Sequence, residues 1–311
     1  MVQWVKTLTK MYNKMKIKSF LLTVTAAVIT VSGAFAQANI LNAKSPEQIG
    51  VRTEAQKAVD NDKPLEYGYV DDRDILYSKM TWERIVLDER VNFPLYYPID
   101  TNNIGSNRRS LYDVLMKNIK NGKIANIYGD SYFKTKTTLK DIEAALVKVD
   151  TTELGIEQIN AGEQLSAEYI NRRDITAADI MEYHIKGLWY FDKRQAELKY
   201  RLLGIAPVAP DVNFIGTENT DLVELFWIFF PDARQVLHEA KSFNDANSSV
   251  PVSFDHILNS RRFSGYIYKE ENVQGDRQIS EYVSDNALMQ LLESERIKDK
   301  IRDFELDMWT Y

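Results

Sequence analysis

A chain of 311 residues without a single cysteine has neither disulfides nor a site for lipid attachment, yet it is long enough to bury one large core or two small ones without staples or a metal. Its 45 acidic residues outnumber 39 basic ones, and the net charge of −6 becomes −11 once the five lysines of the first 18 residues leave with the segment described next. Binding to nucleic acid or anionic lipid needs clustered Lys and Arg, so both are set aside.

Residues 1–36 read as an export signal. Lys16 and Lys18 precede the apolar run Phe20–Val31, and Ala34-Phe35-Ala36 has the small-x-small form of a cleavage site. The run is 12 residues long, whereas a membrane-spanning helix needs about 20, so removal is expected, with cleavage between Ala36 and Gln37. Met15, directly before the basic residues, is a better start than Met1. Residues 37–74 read as a mobile leader, poor in aromatics and holding the polar run Asp60–Pro64.

Folded structure is expected from Ile75, and a weak internal repetition then organises the chain. In the first half, residues 75–150, the strand-like Trp82–Asp88 is followed by the aromatic-proline block Phe93–Pro98, a helix opening at Ser110, and the strand-like Ile124–Tyr128. Ser110 suits an N-cap, and Asp113 adds negative charge to the first turn. Thr138 and Asp141 open another helix to about Lys148, with Leu139, Ile142 and Leu146 on one face. Residues 151–174 hold glycine and polar residues without periodicity and read as a linker.

The second half, residues 175–311, restarts with a cap and staple in Ile175–Ile180. Trp189-Tyr190-Phe191 and Leu198–Leu203 read as a hairpin. Leu225–Phe230 is apolar on both faces and reads as a central strand stopped by Pro231. Ser253 caps a helix, stapled by Val252 and Ile257, before the strand-like Gly265–Tyr268. Ser284 opens a last helix in which Leu288, Leu292, Ile297, Ile301, Phe304 and Met308 predict one buried stripe. The expected fold is α+β: two related halves, mainly antiparallel or mixed sheets with packed helices, and a long C-terminal helix.

Catalytic signals are few. His184, His238 and His256 show no paired spacing, and His238-Glu239 meets Ser242 where a zincin motif needs its second histidine. They read as ordinary core or surface histidines. Ser131-Tyr132-Phe133-Lys134 with Ser284-Asp285-Asn286 imitates a penicillin-recognising serine enzyme, but that chemistry needs the serine at a helix start. Gly129-Asp130 before a Tyr-Phe pair reads as strand or turn, and the Ser284 triplet as a helix cap. Asp71-Asp72-Arg73-Asp74 lacks the glycine and distal glutamate of a calcium loop and reads as a solvated turn. No catalytic, cofactor-binding or metal-binding residue is therefore nominated. The 17 Tyr, 13 Phe and 5 Trp read first as core and then, where they face outward, as protein contacts.

Taken together, the strings Trp82–Asp88, Asn92–Pro98, Trp189–Arg194 and Arg201–Pro207 resemble the gliding motility protein family GldN and its secretion counterpart PorN, over essentially the whole chain after the signal. The resemblance implies a structural periplasmic subunit of the gliding motility and type IX protein secretion apparatus. It further implies assembly with a GldK/PorK-like outer-membrane lipoprotein into a ring, coupling to the periplasmic part of a GldM/PorM-like protein, and no catalytic residues. A periplasmic hydrolase, or a soluble chaperone or binding module, are the alternatives.

Overall fold

The computed structural model describes residues 62–100, 109–152, 167–214, 221–243, 252–284 and 286–309, with isolated positions 45, 54, 58, 156, 158, 160 and 161. The expected signal, its Ala36–Gln37 cleavage site and most of the leader lie outside the described residues. All elements below belong to residues 63–311, one compact unit.

In chain order, β1 (Ile75–Val86) leads through α1 (Phe93–Tyr96) and α2 (Leu111–Lys120) to β2 (Ile127–Tyr128). α3 (Leu139–Leu146) runs into β3 (Val147–Thr151), which pairs with β4 (Ile170–Asp174). The hairpin of β5 (Glu182–Asp192) and β6 (Glu197–Pro210) follows, then β7 (Leu222–Glu224), β8 (Trp227–Phe229) and α4 (Phe230–Glu239). The small ribbon β9 (Lys241–Ser242) and β10 (Val252–Ser253) precedes α5 (Phe254–Asn259), β11 (Tyr266–Glu270), α6 (Ile279–Tyr282) and α7 (Ala287–Trp309). Helices packed on antiparallel strands make this an α+β fold, as the sequence predicts.

The main sheet runs β11-β1-β5-β6-β8-β2, with β7 also on β6, and every pairing is antiparallel. The expected order of strand, aromatic-proline block, serine-capped helix and strand is met by β1-α1-α2-β2 and, with β7 to β10 interleaved, by β6-α4-α5-β11, the proline of each block opening a helix. The closing strands are exchanged. β2 docks beside β8 in the other half, and β11 docks beside β1. The halves therefore share one sheet and one main core, in which Ile85, Leu95 and Leu115 meet Ile205, Phe230 and Leu258. Each such side chain contributes roughly 1.5–3 kcal/mol by leaving water.

Local chemistry explains the elements. Ser110 Oγ accepts from the Asp113 N–H and Ser253 Oγ from the His256 N–H, while Thr138 and Asp141 form a reciprocal capping box. Four expectations are corrected. The strand at Leu225–Phe230 is only three residues long, because Pro231, lacking an N–H and fixed in φ, sits in the first turn of α4, where no donor is needed. Pro94 opens α1 in the same way. α3 stops at Leu146, and the β-branched Val147 and Val149 give a strand that pairs with β4 inside the segment read as an irregular linker. α7 is capped by Asn286, whose Oδ1 accepts from the Met289 N–H, and not by Ser284.

The predicted stripe on α7 is also split. Ile297 and Ile301 are buried against Ile267 of β11 and Ile279 of α6, and Phe304 stacks on Tyr77 at 4.2 Å. Ser294 Oγ accepts the outward N–H of Ile267 at 2.8 Å, so α7 closes the β11 edge. Leu288 and Leu292 instead face solvent, 65% and 54% exposed.

A carboxylate is buried beside aromatic rings. Glu83 is fully buried and accepts two hydrogen bonds from Arg261, at 3.1 and 2.7 Å. The guanidinium lies 4.2 Å from the centre of the Tyr200 ring and 5.0 Å from that of Trp189. Gly187 permits this, since a Cβ there would stand 2.1 Å from Tyr200 Oη. No helix of the described residues is long and apolar enough to cross a membrane.

Candidate interaction site

On a strand, residues two apart share a face, so Glu182 and His184 project from β5 together. In the ladder, Val208 of β6 stands between Glu182 and Glu224, which brings a second carboxylate, from β7, to the same imidazole. His184 Nδ1 lies 2.7 Å from Glu224 Oε1 and Nε2 lies 3.5 Å from Glu182 Oε2. The ring packs on Tyr268 of β11, with centroids 4.7 Å apart. Burial pulls the His184 pKa down, but the hydrogen bonds to Glu182 and Glu224 outweigh it and the value ends raised above that of an ordinary histidine. Burial likewise pushes Glu224 up, and the hydrogen bonds from His184 and Trp227 leave it lowered. With a carboxylate near each ring nitrogen, the protonated form of the imidazole is favoured, and the ring is held by Glu224 at Nδ1 with Glu182 3.5 Å from Nε2. The cluster braces β5, β7 and β11.

Above it lies a groove of about 590 Å³. Its walls are Tyr266 and Tyr268 of β11, Leu222 of β7, the turn at Gln278, and the first turns of α7 with Ala287, Gln290 and Leu291. Hydrogen-bonding capacity is unevenly used there. Glu224 already makes hydrogen bonds with His184, Trp227 Nε1 at 2.7 Å and the Tyr268 hydroxyl at 3.4 Å. Arg84, paired with His184 across β1 and β5 and with Tyr266 across β1 and β11, is exposed, and its side chain makes no hydrogen bond or ion pair among the described residues. The groove's one carboxylate is engaged, its tyrosine hydroxyls, the Ser280 hydroxyl and the Gln290 amide already donate elsewhere, and the Arg84 guanidinium is what remains unspent.

The other motifs fall elsewhere. Ser131–Lys134 forms a tight turn with Phe133 at φ 58°, organised by Asp130, whose carboxylate accepts the N–H groups of Tyr132, Lys134 and Thr135. No helix places Lys134 behind Ser131, so the serine-enzyme geometry is not formed. His238 lies on α4 and His256 on α5. Asp71 caps a short 3-10 turn, and Asp74 is buried against Arg194 at 2.5 Å, so the acidic run is more than a solvated turn. No group of three or more metal-ligating side chains occurs among the described residues.

Sequence reasoning missed Lys186. It is buried over the Trp82, Tyr132 and Phe133 rings, 4.9 to 5.3 Å from their centres, and donates to the Ser131 carbonyl. It also missed Arg84 and the brace around His184. Glu182-x-His184 on an alternating strand was the available signal, whereas Glu224 is joined to it only by tertiary pairing.

The site is thus a groove on a braced sheet, with the Arg84 guanidinium unspent on one side and the first turns of α7 as a wall. A family model described as "Gliding motility associated protein GldN" matches residues 70–310. The chain belongs to the GldN family. The match runs from just before β1 to the end of α7, so the residues of the groove and of α7 lie within the matched range. Among curated proteins no match to the chain is found. GldN membership makes the chain a component of the gliding motility and type IX secretion apparatus, from a family of structural components not known as enzymes.

Proposed function

We propose that this GldN-family chain is a non-enzymatic building block that works in the periplasm, joins a GldK/PorK-like lipoprotein in a ring at the inner face of the outer membrane, and couples that ring to a GldM/PorM-like partner. The match over residues 70–310 carries the reading. The site supports it: His184, which two carboxylates approach, is held as a structural brace between strands, and the serine of the Ser-x-x-Lys lies in a turn. Attachment to a membrane then runs through a partner, since the chain has no cysteine to carry a lipid. A ring also needs two unlike faces on each subunit, because only head-to-tail contacts close into a cycle.

Co-purification from detergent-treated envelopes tests the proposal. A stoichiometric complex with a lipoprotein is expected. A strictly monomeric chain that never accompanies one would defeat it. For the hydrolase alternative, Ser131→Ala and His256→Ala variants should retain full secretion; a loss of secretion with the fold intact would revive that reading.

A further inference from the structure

The first two turns of α7 place Leu288, Met289, Leu291 and Leu292 in solvent, from 39% to 65% exposed. Four large apolar side chains among five consecutive residues are a feature that folding alone does not require, since the helix is already anchored by Ile297, Ile301 and Phe304. Leu291 also forms a wall of the groove, and the exposed Leu222 of β7 stands on the opposite side. The apolar face and the groove are therefore one continuous surface.

We infer that this surface, from Leu288 and Leu291 across to Arg84, is the docking site for a segment of a partner protein that carries apolar side chains together with a carboxylate. Three observations select that occupant. The helix face and Leu222 offer apolar area with nothing packed on it among the described residues. Arg84 presents an unspent guanidinium in the same groove, suited to a bidentate grip on a carboxylate. The one carboxylate lining the groove, Glu224, is already engaged by His184, Trp227 and Tyr268 and is not free to compete for Arg84. A basic segment would find no free carboxylate in the groove and would meet Arg84 directly. The inference rests on the structural-subunit reading and adds the place and the chemistry of one contact.

The test uses the full-length chain as the sole copy in the cell, with the photo-crosslinking residue benzoylphenylalanine at Leu288 or Leu292, and at the exposed Val149 of β3 as a control. The expected result is a crosslink to another protein from Leu288 and Leu292, at least tenfold above Val149, whose sequenced peptide holds Asp or Glu within about four residues of Leu, Ile or Phe. Adding Arg84→Glu should lower the yield at least fivefold, and Arg84→Lys should restore most of it. A crosslink to a second copy of this chain, a peptide without acidic residues, a yield equal to that of Val149, or indifference to Arg84→Glu would each overturn the inference. The parent reading fails separately: if the unmodified chain never enters an envelope complex, the subunit role falls, whereas a complex that forms without crosslinks at α7 removes this docking site alone.

Discussion

Two stretches of α7 both carry large apolar side chains and have opposite surroundings. From Ser294 to Phe304 the helix lies on β11 and α6, with Ile297 and Ile301 buried and the Ser294 hydroxyl sealing the sheet edge. One turn earlier, Leu288, Leu291 and Leu292 are in water. A three- and four-residue repeat says which side chains need cover, not which surface supplies it. In the first stretch the chain covers itself; in the second it leaves the apolar side chains in solvent.

Substitutions break or sharpen this contrast. Ile301→Ala removes a side chain 4% exposed and should cost about 2–5 kcal/mol, read as a fall in denaturant midpoint at unchanged slope. Ser294→Ala leaves the Ile267 N–H buried without an acceptor and should cost about 1–3 kcal/mol by the same measurement. His184→Gln probes the floor of the groove through pH. The folded His184 pKa lies above its ordinary 6.5, so its stabilisation is complete below that value and is lost as pH rises through the raised folded value. The lowered Glu224 contributes above its ordinary 4.5 and loses its part as pH falls through the depressed folded value. The variant should therefore lack the alkaline decline in melting temperature seen for the parent. The smallest effect belongs to Leu288→Ser, within about 0.5 kcal/mol of the parent in stability. A loss as large as that of Ile301→Ala would show that Leu288 is packed after all.

Much of the fold was legible because its signals are local. Ser110, Thr138 and Ser253 cap as expected, and the repeated order of elements survives in the structure. The errors share a cause. A run such as Leu225–Phe230 fits a buried strand or a buried helix start equally well, and only the sheet beside it decided for three residues of β8 followed by α4. The site was less legible. Its floor joins His184 to Glu224 across 40 positions and its wall joins Arg84 to Leu291, separations that no periodicity encodes.

The exchanged closing strands bear on how the chain is made. During synthesis β2 emerges long before its partner β8, and β1 waits for β11, so the sheet cannot be finished until nearly the last helix has appeared. Cutting the gene between Asp150 and Ile170 should accordingly give two fragments that are each incomplete when produced alone and that recover a native assembly only when produced together.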